Sequence, residues 1–272
     1  MHIDALDSYR PGDSPVHRLD GRVKLLLLLF LVLVVALIPD RAWVAFAGLQ
    51  VLLWSVALLS RVGLGLVQRR AVVALPFALA ALTVAFATPG RALLTLPLPG
   101  GAWVMTDAGL LRFVSILARS YLSVQAAVIV TATTPFPDLL WAARVLRIPR
   151  VLVAVGGFLY RYLFVLADEA QRLLRAREAR SAVRPGRRSG GSLLWRARVT
   201  GAMAGSLFIR SYERSERIYV AMLARGYDGE VRTIAPPALR PADLAVGLSI
   251  ALFLALVPLL VRLRIWLFGW GM

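Results

Sequence analysis

The sequence predicts an all-α polytopic membrane protein with about five transmembrane helices, six being the alternative, and long helices at the cytoplasmic face. Three observations carry this. Of 272 residues, 59% are hydrophobic and mean hydropathy is +0.71, against roughly 45–50% apolar in soluble domains. The excess falls in long runs, each close to the roughly 20 apolar residues that cross a bilayer. The net charge of +17 is almost all arginine, with Lys24 the only lysine, and it gathers between the runs. Such charge marks cytoplasmic loops beside anionic lipid.

Residues 1–22 are polar and acidic and read as a cytoplasmic N-terminal tail. A cleavable signal peptide starts basic and turns apolar at once, so the first apolar run reads as a retained span. The runs fall at roughly 23–38, 42–59, 71–88, 108–132 and 243–263. The first ends at Pro39 and is short enough to stand near-vertical. The segment 60–70, SRVGLGLVQRR, carries Arg61, Arg69 and Arg70 and no acid, so it faces inward; 39–41 and 89–107 have no net charge and face outward. The fourth run then goes from outside to inside, and 23–134 forms a four-helix transmembrane region.

Residues 144–240 hold 19 arginines against seven acids and also belong inside. An apolar stretch at 151–167, with Arg161 within it, would place that block outside if it crossed. Parity therefore predicts that it stays in the inner half of the membrane or begins a long helix leaving it. The cytoplasmic region 135–240 reads as three helices. A short amphipathic one lies in TTPFPDLLWAARVLRIP, between prolines. A second runs through YRYLFVLADEAQRLLRAREARSAV to Pro185-Gly186. A third of about 34 residues ends at Gly226, with Gly201 and Gly205 expected to mark a close helix crossing. Residues 241–272 supply the last span and a C-terminus placed outside.

Several chemistries have no residues to run them. The chain has no cysteine, so no disulfide, thiolate site or cysteine nucleophile. Lys24 has no glycine loop before it, which excludes a Walker A site, and SGGS at 189–192 stands without a nucleotide-binding domain. His2 and His17 lie in the tail and make no metal site by themselves. No intramembrane carboxylates are paired. Asp168 and Glu169 read as salt-bridge partners on a helix. Arg119 lies deep in the fourth run and needs a partner, whereas Arg112 can snorkel outward. No basic stretch is interleaved with aromatics, which argues against a nucleic-acid partner.

Two short patterns stand out inside the basic region: Ala179-Arg180-Ser181 and Ala224-Arg225-Gly226. An arginine between small residues projects from a slim helix end, and its planar fork suits carboxylates in a groove. Two such tips on consecutive helices suit a partner with two similar grooves, as a pair of nucleotide-binding domains presents. Ordinary helix ends in an arginine-rich chain are the plainer reading.

HRLDGRVKLL (17–26), TATTPFPDLLWAARVLRIP (131–149), YRYLFVLADEAQRLLRAREARS (160–181) and AMLARGYDGE (221–230) together resemble the transmembrane T component of energy-coupling factor (ECF) transporters, the cobalt type (CbiQ) most of all. The likeness runs from about residue 17 to 263. It implies a multi-pass protein of a prokaryotic plasma membrane whose cytoplasmic helices are coupling helices. The implied partners are two ABC ATPase subunits, a small substrate-binding membrane protein (the S component) and the bilayer. ATP and Mg would be bound by the ATPases, with no cofactor in this chain. The implied ATPase contacts are Ala179, Arg180, Ser181, Ala224, Arg225 and Gly226, with Glu178 and Asp228 as neighbours. The cargo would be cobalt, nickel or a vitamin. A membrane enzyme acting on lipid or isoprenoid phosphates is the alternative from another class, and a scaffold without an ATPase is the third.

Overall fold

The computed structural model describes residues 8–98, 101–180, 192–229 and 239–268. In chain order the helices are α1 (Pro15–Arg18), α2 (Gly21–Leu37), α3 (Trp43–Leu59), α4 (Leu64–Ala71) and α5 (Leu75–Ala87). A hairpin follows, β1 (Ala92–Leu98) and β2 (Gly101–Thr106), then α6 (Asp107–Thr133), α7 (Phe136–Val145), α8 (Arg150–Arg180), α9 (Leu193–Ala224) and α10 (Pro241–Phe268). The chain divides into two compact units, one built on Ser8–Ala143 with the final helix, the other on the described residues from Arg144. It is an all-α polytopic membrane architecture. Length and apolarity alone make α6, α8 and α10 able to cross a bilayer, and α3 is a shorter apolar helix of 17 residues.

The first unit packs α2, α3, α6 and α10 around Leu31, Val35, Leu49, Leu53, Ile129 and Leu254. Their spacing follows the helical repeat: Phe46, Leu49 and Leu53 line one side of α3. The opposite sides are just as apolar. Leu29, Leu33 and Leu37 of α2 are each about half exposed, the pattern of a helix with lipid on one side. Close approach depends on two glycines. A Cβ on Gly247 of α10 would stand 2.7 Å from Val23 Cγ1, and one on Gly109 of α6 would collide with the Ala85 carbonyl of α5.

Two segments read as loops carry structure. Residues 64–71, largely within the basic segment expected to face inward, coil into α4, whose Val67 and Ala71 are buried while Gln68, Arg69 and Arg70 are not. The third apolar run is not continuous: a 3₁₀ turn at Val72–Ala74 separates α4 from α5. Pro76 lacks the N–H that would bond Val72 and its ring crowds that carbonyl, so the helix restarts. The segment 89–107, expected to face outward, contains the antiparallel hairpin, with Leu98 paired to Gly101 and Leu94 to Met105. Thr106 then caps α6, accepting from Gly109 N at 3.0 Å and donating to the Thr88 carbonyl at 2.7 Å.

In the second unit the stretch at 151–167 opens α8, a continuous helix of 31 residues. Its companion α9 has 32 residues. Among the described residues of this unit Gly201 and Gly205 mark no helix crossing, since a Cβ at either would meet open space. The reason is register: within this unit α8 meets the C-terminal part of α9, past both glycines.

Candidate functional site

Two places gather the polar chemistry, one in each unit. In the second, α8 and α9 run antiparallel. Glu169 of α8 accepts from Arg210 of α9 at 3.0 Å, and Phe158 sets its ring against Tyr227, just past the end of α9. Between these contacts lies a cavity of about 320 Å³ lined by Phe158, Tyr162, Leu166, Ser215 and Met222, among others. Glu169 also holds Arg172 at 3.5 Å on its own helix. The acid expected to serve one helix therefore ties two.

The arginine tips follow from this arrangement. Arg180 is the last residue of α8, and Ala179 and Arg180 are exposed; Ser181 lies outside the described residues. Ala224 is the last residue of α9 and Arg225 its C-cap. Gly226 N donates to the Leu223 carbonyl at 2.9 Å and Tyr227 N to the Met222 carbonyl at 3.0 Å, the paired bonds of a Schellman ending. Gly226 takes φ +80°, open to glycine at no steric cost. The chain thus turns sharply and leaves Arg225 at the helix end. Arg180 lies 11 residues beyond Glu169, about 16 Å of helical rise, and Arg225 lies 15 residues beyond Arg210, about 22 Å. The helices being antiparallel, the two arginines sit at opposite ends of the pair. Neither guanidinium has an ion-pair partner among the described residues.

The second place was not legible in the sequence as a site. Lys24 is 4% exposed, and its ammonium donates to the carbonyls of His17 (3.4 Å) and Thr133 (3.0 Å) and to Thr134 Oγ1 (3.0 Å). These contacts use all three N–H groups of a lysine. Asp20, Asp138 and Asp243 supply the opposing charge. Asp20 Oδ1 caps α2 through Arg22 N at 2.7 Å, and the Arg22 guanidinium lies 3.6 Å over the Trp141 ring. Desolvation moves the Asp138 carboxyl above its usual range; Lys24 opposes this and Asp20 adds to it. His17 is fixed and not a free tail residue: Nε2 donates to the Arg10 carbonyl at 3.0 Å, and Nδ1 accepts from Ser14 Oγ at 2.7 Å. His2 lies outside the described residues. This knot joins HRLDGRVKLL to TATTPFPDLLWAARVLRIP across more than a hundred residues of chain. The sign of it was a lone lysine in an arginine-rich chain, four residues after Asp20.

Arg119 has its partner in Asp40, at 2.8 Å, and also donates to the Ile38 carbonyl; Arg112 lies 3.7 Å from the same carboxylate. Ser115 Oγ donates to the Asp40 carbonyl at 2.7 Å, so the turn between α2 and α3 is clamped to α6. Among the described residues, no group of three or more His, Asp or Glu side chains could hold a metal ion.

These features define a multi-pass helical membrane protein with two arginine-tipped helices in a basic unit. The profile of the CbiQ family, described as cobalt transport protein, matches residues 12–235, and the chain belongs to that family. The energy-coupling factor transporter transmembrane protein EcfT of Thermotoga maritima is 31% identical over 248 residues, 87% of this chain and 83% of that one. The cobalt transport protein CbiQ of Rhodobacter capsulatus is 30% identical over 181 residues, 66% of this chain and 70% of that one. An uncharacterised protein of Methanocaldococcus jannaschii is 33% identical over 128 residues, 47% of this chain and 44% of that one. A second from that organism is matched over 58% of its length, so the chain spans about half of these two relatives.

Proposed function

We propose that this chain is the membrane coupling subunit of an ECF-type ABC importer, linking ATP hydrolysis by two partner ATPases to a small substrate-capturing membrane protein. The cargo is cobalt or a related metal ion. The chain itself is non-catalytic, and ATP and Mg are bound by the ATPases. Membership of the CbiQ family supports the class of protein. One structural observation supports the coupling role: Arg180 and Arg225 end two antiparallel helices at opposite extremes of the pair. Two such tips fit two similar grooves set apart, as a dimer of ATPases offers. Each exposed guanidinium suits a carboxylate in its groove, with Ala179 and Ser181, or Ala224 and Gly226, keeping the helix end slim.

The mechanism follows from the geometry. Closure of the ATPase pair would bring its grooves together and push on both helix ends. Helices transmit such a push with little bending, and the Glu169–Arg210 contact between the tips makes the pair a linkage. We place the N-terminus and the basic α8–α9 unit in the cytoplasm, with five crossings and the C-terminus outside, on charge parity.

Metal uptake in cells carrying the complete transporter tests the role. Arg180→Glu or Arg225→Glu is expected to lower cobalt uptake at least tenfold, and the double variant to reach background, with the chain still present in the membrane at normal level. Normal uptake in the double variant would remove the coupling role from these residues.

A further inference from the structure

The first unit contains a cavity of about 370 Å³ among α1, α2, α3, α6 and α10 that the coupling role does not use. Its lining is sorted by position. Arg18, Lys24, Thr133, Arg240 and Asp243 stand at one end; the rest is apolar, including Leu31, Leu53, Ile129 and Leu254. On α10 the lining reaches from Ala242 to Leu254, about 18 Å of rise, and on α2 from Lys24 to Leu31, about 10 Å. The slot is therefore about as deep as one leaflet, half of the roughly 30 Å of hydrocarbon. Its charged end is the end of α2, α6 and α10 that charge parity places at the cytoplasmic surface.

Size and charge select the occupant. About 370 Å³ drawn out over the depth of one leaflet is a long, narrow space that matches the shape of an acyl chain. Water finds no partners along an aliphatic wall. At the mouth, Lys24 already has three acceptors, and Asp243 accepts from the Arg240 backbone N–H at 3.3 Å. The guanidiniums of Arg18 and Arg240 carry no ion pair among the described residues, and both residues are exposed. Two available guanidiniums over a slot one chain wide match a phosphodiester above an acyl chain.

We propose that this cavity is a binding site for one anionic phospholipid, an acyl chain filling the slot and the phosphate held by Arg18 and Arg240. The site is independent of the arginine tips and stands or falls separately from the coupling role. Native mass spectrometry of the full chain, in mild detergent with equimolar phosphatidylglycerol and phosphatidylcholine of matched chains, tests it. The wild type is expected to retain one phosphatidylglycerol with at least tenfold preference. Arg18→Gln with Arg240→Gln is expected to bring the preference to within twofold of unity. Ile250→Trp, which fills the slot, is expected to lose the bound lipid while keeping the thermal midpoint within a few degrees. Equal retention of both lipids by the wild type, an unchanged preference in the double variant, or full retention in Ile250→Trp would overturn the proposal.

Discussion

Lys24 is buried where α2 begins, and it holds the carbonyl and hydroxyl that end α6. An ammonium out of water is costly unless its hydrogens and charge are matched; here all three hydrogens are bonded, and Asp138, Asp20 and Asp243 offset part of the cost of burial. Removing the ammonium leaves the Thr133 carbonyl and the facing carboxylates without their partner. Lys24→Met is expected to destabilise the folded chain by about 3–5 kcal/mol, measured as loss of stability to denaturant in detergent micelles, whereas a change at the exposed Ser55 should be near neutral. At this scale the sequence was only partly legible. Gly226 announced a helix end because a left-handed residue is where glycine belongs, and the structure bonds it as expected. Lys24 stood out only as the lone lysine, and its role stayed hidden because Thr133 and Thr134 lie 109 and 110 positions away and no local pattern encodes that pairing. Arg119 was legible as a residue needing a partner, but Asp40, 79 positions distant, could not be named from spacing.

The elements were legible as far as apolar length marks them. The runs expected at 23–38, 42–59, 108–132 and 243–263 each became one helix, α2, α3, α6 and α10. Faces were not legible. In water a buried face is apolar and an exposed face polar, but Leu29 and Leu33 of α2 face outward and are as apolar as the buried Leu31 and Val35. The α4 turn was hidden by its arginines, and the hairpin by a loop expectation that asked only about charge. Helix α8 carries the sharpest test at this scale. Its length and apolarity allow it to cross, whereas charge parity keeps both its ends inside. The absence of native cysteine makes the test simple. Single cysteines at Val151, Leu174 and Leu239 are expected to react with a membrane-impermeant maleimide only after permeabilisation, and one at Leu267 to react in intact cells. Labelling of Val151 and Leu174 from opposite sides would establish a sixth crossing and move the C-terminus inside.

Over the whole molecule, the chain combines a helical unit with a lipid-like exterior and a basic unit of two long helices. Family membership accounts for the first in general terms. The coupling proposal gives the second a purpose: two helices joined near Glu169 and Arg210 offer one arginine at each far end. Neither tip could serve two ATPases alone, and a single tip on a basic helix would carry no such implication. Affinity purification of the tagged chain from its native host, with the co-purifying ATPase subunits counted, tests this most directly. The coupling account expects two ATPase subunits per chain with the wild type and none with Arg180→Glu, Arg225→Glu, at equal recovery of the chain. Two ATPase subunits retained by the double variant, or none with the wild type under gentle solubilisation, would contradict it.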